Sequence, residues 1–230
     1  MIPQLPNEFI FPLPNSASEE GIVAWGGDLN PLRLQLAYQN GIFPWYNKDE
    51  PILWWSTNPR LIMELDDFKL SKSLKKSMKK FTYKFDTSFK EVITSCADIK
   101  RADDAGTWIQ DEIIQAYTQL HQMKIAHSVE SYFDGKLVGG LYGVVVGKVF
   151  CGESMFAKKS DASKAAYAVL VAHLKKWGYD FIDCQVPTKH LKSLGAKEVT
   201  REYFLNRLYR VNKKDIKHKW EINNTIIEKI

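Results

Sequence analysis

The chain has 230 residues, 45% of them hydrophobic, which suits an ordinary globular protein of one large domain or a main domain with a smaller one. A formal charge of +5 is too mild to establish nucleic-acid binding by itself. No stretch approaches the roughly 20 apolar residues a membrane span needs, the N-terminal "MIPQLPNEFIFPLP" lacks a signal-peptide layout, and three widely separated cysteines (Cys96, Cys151, Cys184) suggest neither a disulfide framework nor a zinc site. A soluble cytoplasmic protein without metal, cofactor or membrane partner is expected.

In chain order, residues 1–60 are rich in Pro, Gly and Trp and form a small N-terminal domain. Its one clear helix is "NPLRLQLAYQNG", with Asn30 as N-cap, Pro31 at the first helical position and Gly41 as a stop. "GIFPWYNKDEPILWWSTNPR" follows as a region of turns whose tryptophans either staple the subdomain or wall a ligand site. The second domain, residues 61–230, opens with "FKLSKSLKKSMKKF", an amphipathic helix over 68–81. Lys72, Lys75, Lys76, Lys79 and Lys80 share its exposed face. Like charges at i,i+4 repel, so a face this purely basic points to a polyanion partner.

Helices are predicted over 87–97 and 110–123, with a loop "DDAGTWI" between them. Three strands follow, "AHSVESYF", "KLVGGLYGVVVG" and "KVFCGESMFA", joined by Asp134-Gly135 and Gly147-Lys148 turns as antiparallel hairpins. Residues 160–178 carry a wide apolar stripe and form a deeply buried helix, with His173 in the core. "GYDFIDCQV" is the next strand, and the strand–helix–strand order implies a parallel crossover. "PTKHLKSLGA" and "TREYFLNRLYR" read as helices ahead of a basic tail. The fold class is α+β with a mixed sheet.

Two carboxylates stand out. Strand alternation puts Val149, Cys151, Glu153 and Met155 on one face and Phe150, Gly152, Ser154 and Phe156 on the other. Phe181, Asp183 and Gln185 share a face of the later strand. Acids buried among apolar residues require partners or a cavity, and a pair of them perturb each other and suit acid/base work. A thiol pairing of Cys151 or Cys184 with His127 or His190 is a weaker alternative, and His121 and His127 lack the spacing of a helical metal pair. "SMFAKKSDASKAA" between strand and helix has no glycines to cradle a pyrophosphate.

The strings "GGDLNPLRLQLAYQNGIFPWY", "PILWWSTNPR", "GTWI", "AHSVE", "LVGGLYGV", "FCGESMF" and "DCQV…HLKSLGA", in that order, resemble the bacterial leucyl/phenylalanyl-tRNA–protein transferases over about residues 20–205. The resemblance implies a small N-terminal domain joined to a domain like the GCN5-related acetyltransferases. It implies transfer of Leu or Phe, with Met open, from aminoacyl-tRNA to proteins or peptides with N-terminal Arg or Lys, creating an N-end rule degradation signal. A coenzyme A-dependent N-acetyltransferase and a non-catalytic RNA-binding module are the rival readings.

The resemblance also implies site roles. Asp183 and Gln185 match a relay in which Asp183 accepts a proton through Gln185 or only orients it. Glu153 matches an acid at the pocket floor. Trp45, Trp108 and Tyr117 match aromatics bordering the terminal adenosine. Phe150, Met155, Leu174 and Ile182, with Leu141 and Tyr167 beside them, match the amino-acid side-chain pocket. Leu141 stands where methionine is common, and Tyr167 where leucine occurs. The lysine face of residues 72–80 corresponds to a region that holds the tRNA acceptor stem.

Overall fold

The structure, a computed structural model, describes residues 1–99, 107–214 and 216–230. In the N-terminal part, β1 (Ile22–Trp25), α1 (Pro31–Gln39), β2 (Phe43–Pro44) and β3 (Leu53–Trp55) build an antiparallel sheet in the order β1-β3-β2. Asn30 caps α1 as expected, its side-chain oxygen accepting from the Leu32 N–H at 2.9 Å, with Pro31 at the first helical position. The tryptophan segment expected as turns contains β2 and β3, and Trp54 in β3 is fully buried.

The second sheet uses β4 (Arg60–Glu64), β5 (Thr82–Phe85), β6 (Ala126–Phe133), β7 (Lys136–Val146), β8 (Val149–Ala157), β9 (Phe181–Gln185) and β10 (Lys197–Val199). Their order is β10-β4-β9-β8-β7-β6-β5, with β8 and β9 parallel and the other neighbours antiparallel, so the sheet is mixed and the fold α+β. Around it lie α2 (Lys72–Met78), α3 (Phe89–Ala97), α4 (Asp111–Gln122), α5 (Ala162–Trp177), α6 (Lys189–Ser193), α7 (Arg201–Val211) and α8 (Asn224–Glu228). Residue 60, where a domain boundary is expected, is the first residue of β4.

Two apolar layers sandwich this sheet. One joins the N-terminal part to α3, α4 and α7 through residues such as Trp54, Ile93, Tyr117, Phe181 and Phe204. The other packs α5, α2 and the C-terminal tail against Phe150, Ile182 and Leu141. Small residues at the start of α5 let it cross the sheet closely: a Cβ on Gly139 would lie 2.5 Å from that of Ala162. His173 is fully buried in this layer, as expected.

Several expectations need correction. The helix expected over 68–81 is confined to Lys72–Met78, because Ser71 caps it by accepting from the Leu74 N–H, leaving residues 68–71 as an approach segment. "PTKHLKSLGA" supplies only the helix Lys189–Ser193, and the following β10 was not anticipated. The loop expected at "DDAGTWI" lies partly outside the described residues; only Thr107, Trp108 and Ile109 fall within them. The tail is not merely basic. Trp220 stacks on His127 at 4.0 Å and meets Phe85 and Trp177, so aromatic burial anchors it.

The largest correction concerns β8. Its pairing with β7 runs Leu141↔Met155 and Tyr142↔Ser154, then slips to Gly143↔Gly152. Glu153 is the extra residue of a β-bulge, which inverts the alternation beyond it. Val149 and Cys151 therefore share a layer with Phe156, while Met155 joins Phe150 in the other. Gly143 permits the close approach, since a Cβ there would fall 2.3 Å from the Cys151 carbonyl oxygen.

Candidate active site

Parallel pairing of β8 and β9 stops at Cys151↔Asp183. Past that point the bulge carries β8 away, and a cavity of about 480 Å³ opens between residues 152–155 of β8 and residues 184–186 at the end of β9. Its apolar wall includes Leu141, Phe150, Met155, Tyr167 and Ile182. Trp45 and Trp108 stand on the side of the N-terminal part, Trp45 tilted against Trp55 with ring centroids 5.4 Å apart. Glu153 and Gln185 supply polar groups to the same cavity.

Glu153 is half-buried and faces this space. Its Oε1 accepts from Gln185 Nε2 at 3.0 Å and its Oε2 from the Tyr117 hydroxyl at 3.3 Å. Tyr117 is hydrogen-bonded in turn to the hydroxyl of Tyr38 on α1. Burial lifts the Glu153 carboxyl to about 8; the hydroxyls of Tyr38 and Tyr117 restrain the rise, and the neighbouring Asp183 adds to it. Burial also raises both tyrosines well above their usual range, so they remain donors.

Asp183 lies behind the wall, 1% exposed, and meets Arg60 at the start of β4 in a two-pronged ion pair: Nε to Oδ1 at 2.8 Å and Nη2 to Oδ2 at 2.6 Å. Its Oδ1 also accepts from the Gln185 backbone N–H at 3.1 Å. The expectation that Glu153, Asp183 and Gln185 come together is met, through a bulge and a hydrogen-bond chain. Trp45, Trp108, Leu141, Phe150, Met155, Tyr167 and Ile182 line the cavity. Tyr117 and Leu174 do not reach it as surface: both are fully buried, Tyr117 behind Glu153 and Leu174 within the α5 layer.

The thiol reading fails on chemistry. Burial pushes the Cys184 thiol up to about 12 and Cys151 well above its ordinary value, so neither is a thiolate near neutrality. His127 is engaged elsewhere, its Nδ1 2.7 Å from Asp86. No group of three His, Cys, Asp or Glu among the described residues forms a metal site. Lys72, Lys75, Lys76, Lys79 and Lys80 are exposed on and just after α2.

A family model for leucyl/phenylalanyl-tRNA protein transferase matches residues 62–209, and a model of that family's N-terminal domain matches residues 27–58. The chain belongs to the leucyl/phenylalanyl-tRNA–protein transferase family. It is 71% identical over 223 residues to the leucyl/phenylalanyl-tRNA–protein transferase of Sulfurimonas denitrificans, covering 96% of this chain and 98% of that one. It is 48% identical over 233 residues to that of Nitrosospira multiformis, covering 99% and 100% of the two chains. Among solved structures it is distantly similar to a GCN5-related N-acetyltransferase from Kribbella flavida, with a TM-score of 0.36 and 13% identity over 72% of this chain and 59% of that one.

This transferase is thus an aminoacyltransferase, with aminoacyl-tRNA as donor and protein as acceptor. Sequence reasoning missed three residues that hold this candidate site together: Arg60, Tyr38 and Thr57, whose hydroxyl donates to the Gln185 carbonyl at 3.0 Å. The signal for Arg60 was the missing cation for Asp183, an apolar-strand acid that needed one. Tyr38 sat unremarked on the buried stripe of α1.

Proposed function

We propose that the enzyme moves Leu or Phe from aminoacyl-tRNA to the N-terminal Arg or Lys of cytoplasmic proteins, marking them for degradation by the N-end rule, with Met left open as a donor. The observation that carries this reading is the cavity between β8 and β9: an apolar wall beside a hydrogen-bonded polar pair, Glu153 and Gln185. Leu141, Phe150, Met155, Tyr167 and Ile182 receive the aminoacyl side chain. Trp45 and Trp108 border the terminal adenosine, and the α2 lysines hold the acceptor stem.

The ester is already activated, so catalysis is mostly proximity and proton handling. The acceptor enters as an ammonium with a free pKa of about 8 and loses one proton. Its nitrogen attacks the ester carbonyl carbon, and the C–N bond forms. The bond from that carbon to the ribose oxygen then breaks. A second nitrogen-bound proton passes to the ribose oxygen, so the net products are amide, free tRNA hydroxyl and one proton. Gln185, with Nε2 committed to Glu153, offers Oε1 to the attacking amine.

Transfer of radiolabelled leucine from leucyl-tRNA to an Arg-initiated peptide tests the reading. Labelling of Arg- and Lys-initiated peptides, with none of an Asp-initiated one, is expected. Equal labelling of all three overturns the acceptor assignment, and absence of labelling overturns the donor assignment.

A further inference from the structure

The charge of the chain is segregated. Its formal surplus is +5, and Lys72, Lys75, Lys76, Lys79 and Lys80 already equal it, with no acid between residues 72 and 80. A second basic stretch, residues 210–220, holds Arg210, Lys213, Lys214, Lys217 and Lys219 against the single acid Asp215. The remainder of the chain is therefore net acidic. Like charges gathered in this way repel one another and favour a polyanion that neutralises them.

The second stretch is fastened to the body of the protein at both ends. At its start the Val211 carbonyl accepts from the Lys148 N–H at 3.2 Å, and Asn212 Nδ2 donates to the Gln39 carbonyl at 3.0 Å. At its end Trp220 stacks on His127, with ring centroids 4.0 Å apart, and packs on Phe85 and Trp177. Between these anchors lies a cavity of about 690 Å³, closed on its other sides by the start of β6 and the β7–β8 turn. Lys124, Lys213, Lys214 and Lys219 line it and are exposed. Lysine ion pairs among the described residues use Lys164, Lys175, Lys192 and Lys197, so no described carboxylate neutralises these four. The wall also holds Glu221, which is exposed, and Asp86, which is committed to His127 Nδ1 at 2.7 Å and to the Ser128 N–H at 2.9 Å. Aromatic packing thus fixes the backbone that carries the lysines, which lowers the entropy cost of binding an anion there.

This cavity and the catalytic one lie at opposite ends of the sheet. The first surrounds Gly147 in the β7–β8 turn and the second reaches Met155, and at roughly 3.3 Å per residue that run is about 25 Å long. The edge strand β5 links the two basic regions, starting just after Lys80 and ending beside Asp86 in the cavity wall. A tRNA whose 3′ end sits in the catalytic cavity and whose acceptor stem lies on α2 extends far enough to reach the second region.

We propose that the cavity walled by Lys124, Lys213, Lys214 and Lys219 is a second tRNA site, which takes backbone phosphates of the tRNA body outside the acceptor arm. The inference rests on the aminoacyl-transfer reading for the identity of the RNA. Its tests use uncharged RNA, so they stand apart from whether leucine is transferred.

The probes are uncharged leucine tRNA and a minihelix that keeps only its acceptor arm and 3′ end. The combined variant Lys213→Ala, Lys214→Ala and Lys219→Ala leaves Trp220 and His127 in place. Its affinity for whole tRNA should fall at least about tenfold at low salt, with the slope of log affinity against log salt flattened by roughly 0.7–0.9 per lost contact. Its affinity for the minihelix should match that of wild type. Unchanged binding of whole tRNA overturns the proposal, and so does an equal loss for both RNAs, which would place the lysines on the acceptor arm. The matching Lys→Arg variant at the same three positions keeps the charge and should keep the wild-type slope. A loss in the arginine variant as large as that in the alanine variant would assign the effect to the shape of the tail and overturn the proposal. A wild-type enzyme that transfers no leucine to an Arg-initiated peptide would instead remove the aminoacyl-transfer reading and leave these binding results standing.

Discussion

Glu130 in β6 is fully buried, yet its carboxylate is saturated. It accepts from the Thr87 and Ser88 N–H groups and from the Thr87 and Ser128 hydroxyls, which pins the start of α3. Asp183 is matched by Arg60. Glu153 alone of these three faces a cavity, and its partners are a side-chain amide and a phenol. Its carboxyl stands at about 8, raised by burial, whereas an unfolded chain leaves it near 4.5. Between those values the folded state binds more protons than the unfolded state. The stability Glu153 contributes is therefore full below the unfolded value and lost as pH rises through about 8. Glu153→Gln removes that loss. Its melting temperature relative to wild type should climb between pH 5 and pH 9, and a constant difference across that range would contradict the assignment. The apolar wall gives a second expectation. Met155→Asp places an unpaired charge where an alkyl group must sit, so leucine transfer should fall at least roughly 100-fold while tRNA affinity holds. Retained leucine transfer would place the side chain elsewhere.

The long amphipathic elements were legible because their pattern is redundant. α5 shows four turns of one stripe, and Ala162–Trp177 falls within the expected 160–178. The bulge in β8 was not legible, since alternation assigns faces by counting and one inserted residue reverses the count. α2 was overdrawn because apolar residues at 70 and 81 extend the helical rhythm past the Ser71 cap and the turn at Lys79 and Lys80. Its lysine face survives that shortening, as Lys72, Lys75, Lys76, Lys79 and Lys80 are all exposed. If they track phosphates, affinity for tRNA depends on counterion release. The combined Lys75→Ala, Lys76→Ala and Lys79→Ala variant should bind all tRNAs more weakly and flatten the slope of log affinity against log salt by roughly 0.7–0.9 per lost contact. The leucine-over-phenylalanine preference should not change. Binding isotherms at several salt concentrations check this, and identical slopes would reduce α2 to a solvated face.

Across the whole molecule, the α+β class and the run β6 to β9 were readable from local pattern, whereas β4, β5 and β10 were not. The contacts that make the site were not, because they join distant segments. Arg60 and Asp183 are 123 residues apart, and Tyr38 and Tyr117 are 79 apart. Arg60 also reaches the Gly41 carbonyl and the Phe43 ring of the N-terminal part, whose core is continuous with one layer of the main sheet. The two parts should therefore unfold together. Arg60→Ala, which strands a buried carboxylate, should cost about 3–5 kcal/mol, with tryptophan fluorescence and far-UV circular dichroism still following one denaturant transition. Separate transitions in wild type would mean that the N-terminal part folds alone.

The cavity between β8 and β9 is the centre of the functional account, and competition among donors tests it most directly. The enzyme is given an Arg-initiated peptide and tRNA charged with all amino acids together, with acetyl-coenzyme A in the same mixture, and the product masses are read. Leucine and phenylalanine adducts should dominate; charged residues should be absent, because an apolar wall rejects them, and acetyl should be absent, because the segment between β8 and α5 has no glycines to cradle a pyrophosphate. Adducts in proportion to the supplied tRNAs, or an acetylated peptide, would contradict the account.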